Sequence, residues 1–290
     1  MVRPLDPSDF RAYRKILEPD DFALWDGEMD PAPTDLMSEV AWDSIMTLPN
    51  DVAVRTTSYQ GERIELLYDL WAGWIESMPR QSIVAEAMLD SADDLSAAVF
   101  NLVHGFYKQA SSSLRSALET TALACECTLT RSPKRWKAWQ SGSEVRYADI
   151  CKGLAVQDKF LALETNSRAA TGGSIFPDQN GHGKAWGRNL YHRLSKFSHA
   201  RGDSTNGHLW KSNGPIYSED GMRVSYHLYV EAYALLIILL KVTYEWFRVP
   251  EAAEILFKSD SIPIFCPEPF VDVCTTYSIN VFASHKSAEG

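Results

Sequence analysis

Arg188, His192, Arg193, Ser195, His199 and Arg201 crowd into one stretch, RNLYHRLSKFSHARGD, at residues 188–203. The stretch holds four arginines and lysines, two histidines and one aspartate, in a chain of net charge −10. Imidazole takes up and releases a proton near neutral pH. The planar guanidinium of arginine holds anionic oxygens two at a time and stays charged. A segment with both is equipped for proton transfer beside a bound anion. No other stretch offers a comparable set: there is no Gly-x-Ser-x-Gly elbow, no His-Glu-x-x-His and no clear carboxylate pair. His192 and His199 lie about 10.5 Å apart along a helix axis and cannot jointly hold one metal ion. Around the Gly183-Lys184 pair of GHGKAWG, Asp178 upstream and Ala185 downstream stand where a phosphate-binding loop needs Gly and Ser or Thr. Neither a metal nor a cofactor is expected.

A helix over residues 184–199 positions these groups. At 100° per residue, Arg188, His192, Ser195 and His199 fall within about 60° of one another. Trp186, Leu190, Leu194 and Phe197 gather on the opposite face. Arg193 lies near the apolar edge, about 120° from His199. A charge there must find a partner or reach water along its stem; Glu119 and Glu126 are the partners expected. Gly181, Gly183 and Gly187 loosen the entry to this helix, and Gly202 follows its end. The same cations have a purely structural use, since positive charge near a helix C-terminus complements the dipole.

The rest of the chain reads as helical. Residues 33–46 carry a start signal, 48–61 break the pattern, and 62–78 place Ile64, Leu67, Leu70, Trp71 and Trp74 on one side. Two or three helices follow over 82–130. In the last of them Phe106, Ala110, Leu114, Ala117, Thr121 and Ala124 form a stripe of mostly small residues that lets a neighbour approach closely. Another helix start is read at Ser143. Trp136 and Trp139, interleaved with the cations of TRSPKRWK, suit either stacking on a nucleic acid or packing inward. Residues 167–184 and 201–221 read as loops. Residues 222–247 form the longest periodic element, ended by Pro250. Within it YALLIILL is far shorter than the ~20 apolar residues of a membrane span, so it reads as a core helix. Residues 262–282 are Pro-rich, then alternating, and read as extended. The expected fold is an all-α antiparallel helical bundle at residues 61–258, with an N-terminal helical extension at 1–60 and an extended C-terminal tail at 259–290.

Composition narrows the function classes. Five scattered cysteines make no disulfide framework. MVRPLDPSDFRAYRK lacks the apolar stretch of a signal peptide. Reduced thiols in the cytoplasm, with no membrane partner, are expected. The acidic balance disfavours a general nucleic-acid coat but allows a local basic cleft.

Arg193-Leu-Ser-Lys-Phe-Ser-His199 is an Arg-x5-His spacing at a helix end. It resembles the Arg-x4–6-His motif of HEPN-type helical domains. Upstream, GFYKQASSSLRSALE resembles the long antiparallel helix that such bundles place before the motif, and the similarity covers roughly residues 95–250. Leu194 stands where many of these motifs have a polar residue. LYHRLSKFSHA is also similar to a pattern in uncharacterised bacterial helical proteins. The resemblance implies a metal-independent endoribonuclease of bacterial toxin–antitoxin or anti-phage defence, working as a homodimer on RNA. His199 would then be the acid–base and Arg193 the phosphate clamp, with Arg188, His192, Ser195 and Arg201 binding substrate. The alternative is a non-catalytic helical scaffold that binds a protein partner. A third reading is a small-molecule sensor, with the aromatic core and residues 167–184 as its pocket.

Overall fold

The computed structural model describes residues 38–79, 82–161, 164, 175–176, 185–198, 214–244 and 247–258. The chain divides into two compact units, Met1–Thr47 and Leu48–Gly290. Among the described residues the protein is all-α, as expected, with no β-strand. The first unit contributes the short helix α1 (Glu39–Trp42), capped by the Ser38 hydroxyl at Ala41 N (3.3 Å), and a π-helical turn over Asp43–Thr47. The extended tail expected at 259–290 lies outside the described residues.

The second unit opens with α2 (Leu48–Glu76). This helix runs through residues 48–60, which read as a break. Thr56, Thr57 and Ser58 each donate a hydroxyl to the carbonyl four residues back, so polar side chains that favour turns are used inside the helix instead. The break survives as a kink at Gln60 (φ −131°, ψ 20°). α3 (Ile83–Val103) starts at Ser82, whose hydroxyl accepts from Ala85 N at 3.1 Å. Two indoles of α2 fix the pair as an antiparallel hairpin. Trp71 donates to Ala92 O (3.0 Å) and Trp74 to Met88 O (2.9 Å).

α3 turns into α4 (Tyr107–Leu129) through Gly105. That residue has φ +77°, and a Cβ on it would lie 2.7 Å from Ile216 N. Only glycine fits both demands. The small stripe does what its composition predicts: Ala110, Leu114, Ala117, Thr121 and Ala124 are all buried, and Ser91 of α3 meets Thr121 hydroxyl to hydroxyl at 2.9 Å. Two short helices follow, α5 (Pro133–Gln140) and α6 (Tyr147–Ala155). α6 begins four residues after the expected start at Ser143. Then come α7 (Trp186–Ser198), α8 (Glu219–Thr243) and α9 (Glu251–Lys258).

α8 is the core element. Nearly all its side chains are buried, which is why it is apolar on every side. By length and composition alone it is one helix able to cross a membrane, yet 89% of its most apolar window is covered by the rest of the protein. Ser218 caps it at Gly221 N (3.1 Å), and the Tyr107 hydroxyl accepts from Ser218 N (3.0 Å) and donates to Ser218 O (3.1 Å). α8 stops at Thr243, short of Pro250. That proline instead precedes α9, a helix not read from the sequence, and packs on Gly73 of α2.

Candidate functional site

α7 forms where it was expected and with the expected faces. Leu190 and Leu194 are fully buried, Trp186 and Phe197 are partly buried, and Arg188 and His192 are exposed with Ser195 half-buried beside them. Lys196 joins the exposed ridge. The helix comes close to α8 through Gly187, where a Cβ would stand 3.3 Å from Leu235 Cδ2. His199 and Arg201 lie outside the described residues, so the expected convergence of Arg193 with His199 is not described.

Arg193 is held by a carboxylate, but not by either expected one. Both its terminal nitrogens donate to Glu231 of α8, Nη1 to Oε1 at 3.0 Å and Nη2 to Oε2 at shorter range. The indole of Trp186, two turns earlier, donates to the same Oε2 at 3.3 Å. Glu231 is 3% exposed and the Arg193 side chain 35%. The pairing has a physical reason. Glu231 is a charge embedded in the apolar YVEAYALLIILL run, and a buried carboxylate without a cation is very costly. Glu119 and Glu126 are already engaged elsewhere. Glu126 ion-pairs with Arg135 at 3.0 Å.

Glu119 belongs to a second cluster on α7. Arg115 reaches it at 3.2 Å from the previous turn of α4. The Tyr191 hydroxyl donates a short hydrogen bond to Glu119 Oε1 and accepts from Arg115 Nε at 3.1 Å. The Tyr191 ring stacks on Tyr147 of α6, with centroids 4.1 Å apart and planes 12° from parallel. Burial first, and then the bond to Glu119, push the Tyr191 phenol up to about 12, so it serves as a neutral donor. Beneath it the Cys151 thiol is likewise raised to about 12 by burial, against smaller opposing effects of Tyr147 and Arg188. Burial thus favours the thiol form of Cys151 over the thiolate.

Both carboxylate anchors of α7 were legible only in part. Arg115 and Glu119 stand out as an i,i+4 pair, but their third member, Tyr191, does not. Glu231 was missed, although it and Arg193 are each a lone charge on an apolar face, a signal that would have matched them. Trp136 packs inward, buried, with its indole N–H on Glu86 Oε2 at 2.8 Å; Trp139 is partly buried beside it. Among the described residues no cluster of three or more His, Cys, Asp or Glu is arranged to hold a metal ion. Cys125, Cys127 and Cys151 are free and buried. No family model, curated protein or solved structure matches this chain.

Proposed function

We propose that this chain is a non-catalytic helical binding protein on a HEPN-like bundle, and that the outer ridge of α7 is the face it offers to a phosphate-bearing partner. RNA is the partner implied by the resemblance, and the cytoplasm the compartment. The observation that carries this reading is the Arg193–Glu231 pair: the fork that would clamp a scissile phosphate is occupied on both prongs by a buried carboxylate. A phosphate would have to displace Glu231 and strand it in the core. Arg188, His192 and Lys196 are exposed along the outer ridge of the same helix, where a phosphate can reach them without entering the core.

The test uses the full chain with a fluorescently labelled single-stranded RNA in EDTA. Saturable, salt-sensitive binding without cleavage is expected, because phosphate contacts release counterions. Arg188→Glu with Lys196→Glu should weaken it by about tenfold or more. RNA left unbound by the wild type at low salt would sink the proposal.

One observation favours a second reading, a metal-independent endoribonuclease acting as a homodimer in toxin or anti-phage defence. Arg193 keeps about a third of its side chain exposed while Glu231 holds its guanidinium, with His199 five intervening residues downstream. On that reading the wild type cuts RNA in EDTA and His199→Ala does not. Equal cleavage by both, or by neither, removes it.

A further inference from the structure

The second half of α2 (residues 62–76) and all of α3 hold eight carboxylates, Glu62, Glu65, Asp69, Glu76, Glu86, Asp90, Asp93 and Asp94, against one cation, Arg63. On α3 the exposed positions are Glu86, Leu89, Asp90, Asp93 and Phe100, which recur at three- and four-residue spacing along one face. Leu89 and Phe100 are each 59% exposed. On α2 the exposed Glu65, Tyr68, Asp69, Ile75 and Glu76 repeat the pattern, with Tyr68 56% and Ile75 42% exposed.

The two faces meet at a seam. The Tyr68 ring lies 5.7 Å from that of Trp71, and Trp71 reaches across to Ala92 O of α3. Tyr68 and, two turns on, Ile75 therefore flank the α2–α3 junction from one side, with Leu89 and Phe100 on the other helix. Phe100 is held in place, its ring 4.0 Å from that of His104, whose Nδ1 lies 2.8 Å from Phe100 O. Among the described residues no lysine or arginine pairs with Glu65, Asp69, Asp90, Asp93 or Asp94. Burial and then mutual repulsion with Asp93 and Glu86 raise the Asp90 carboxyl; burial and the neighbouring Asp90 and Asp93 raise Asp94 to about 6, against the bond from Ser116 of α4. The acidic face is thus charged against itself.

We propose that the α2–α3 seam is a docking surface for a basic amphipathic helix of a partner protein, whose apolar side chains cover Tyr68, Leu89 and Phe100 while its lysines or arginines answer the seam carboxylates. Charge complementarity selects this occupant. An apolar patch inside a ring of one sign admits a segment of the other sign and repels an acidic one, including the face of a second copy like it. The spacing of the exposed residues matches the way an amphipathic helix presents its anchors to a groove.

The probe is a synthetic helical peptide of about 20 residues, built from Leu and Lys at helical spacing, titrated by fluorescence anisotropy against the full chain. Controls are the same peptide with Glu for Lys, and one with its leucines scrambled off one face. Saturable binding of the first alone is expected. Leu89→Ser with Phe100→Ser, charges intact, should weaken it by about tenfold or more, and so should Asp90→Lys with Asp93→Lys. Arg188→Glu with Lys196→Glu should leave it unchanged, which separates this surface from the α7 ridge. All positions are exposed, and circular dichroism melts check that each variant folds. Binding that survives the Ser variants reports only charge attraction and overturns the proposal, as does no binding. A dimer in light scattering that is lost in the Ser variants makes a second copy the occupant and also overturns it.

Discussion

α7 and the α2–α3 seam handle charge in opposite ways. Around α7 the arginines that lie on or near apolar surface are each matched to a carboxylate: Arg193 to Glu231, and Arg115 to Glu119 with Tyr191 between helices. The matching extends to geometry, since Arg193 meets Glu231 with both prongs. Along the seam Glu65, Asp69, Asp90 and Asp93 face solvent with no cation among the described residues to answer them, while Glu86 and Asp94 have only neutral partners, Trp136 and Ser116. A charge answered from within the fold serves to hold helices in place, and its removal is felt as lost stability. A charge left unanswered costs stability in the free protein, and its removal is felt as a gain. That difference separates residues that build the molecule from residues that are available to a partner, and it is measurable.

The largest effect expected is from Arg193→Ala. It leaves the Glu231 carboxylate buried without its cation, at a cost of about 3–5 kcal/mol. Urea unfolding followed by circular dichroism checks this. Glu231→Gln should cost less, because Arg193 is partly exposed and its stem can carry the guanidinium to water. Arg193→Met together with Glu231→Leu should recover most of the loss, since well-packed apolar residues often replace a buried pair without penalty. A loss below about 1 kcal/mol for Arg193→Ala would mean that the pair does not anchor α7. The size of the effect also bears on activity assays: a dead Arg193 variant says little about catalysis until its folding is known, whereas a variant of the exposed Lys196 carries less of that confusion.

The sequence announced this architecture unevenly. Periodicity placed α7 within two residues at its start, and the small-residue stripe of α4 foretold its close packing against α3. Such features are local: a helix's apolar face is written in its own residues. The partner of Arg193 was not local. Glu231 lies 38 residues away, and only the fold decides that it, rather than Glu119 or Glu126, faces the guanidinium. α2 was missed between residues 48 and 60 because Thr, Ser and Asn favour turns when read singly; their hydroxyls bond back onto the helix here. α9 was missed because eight residues give too short a period to read, although Pro250 before Glu251 is a helix-start signal. For the site, the ridge of Arg188, His192 and Ser195 followed from the 100° rule, while His199 and Arg201 fall outside the described residues.

A smaller effect is expected from Tyr191→Phe. The change removes the hydroxyl that joins α7 to Glu119 and Arg115 but keeps the ring stacked on Tyr147. Glu119 and Arg115 are each about a third exposed and retain each other, so no group is stranded. The cost should be about 1 kcal/mol, that of one hydrogen bond to a charged acceptor in a partly wet site. The gap between this value and that of Arg193→Ala measures how much burial of the carboxylate matters. Equal losses would erase the distinction between an anchor and an accessory contact.

The smallest effect should have the opposite sign. Asp94 faces Asp90 and Asp93 on its own helix and Ser116 on α4, and its carboxyl is raised to about 6, chiefly by burial. A carboxyl raised in the folded state binds its proton more readily there than in the unfolded chain. Between roughly pH 4 and 6 the folded state therefore holds more protons, and stability falls as pH rises through that window. Asp94→Asn keeps an acceptor for Ser116 and removes the charge. It should stabilise the protein at pH 8 by about 0.5 kcal/mol, the site being wet enough to screen most of the penalty. The gain should shrink as pH is lowered and vanish near pH 4, where Asp94 of the wild type is itself protonated in the fold. Thermal melts of both proteins at pH 8, 6 and 4 read this directly. A gain that does not change with pH would show that the Asp94 carboxyl is not raised in the fold, and the contrast between the seam and α7 would then rest on exposure alone.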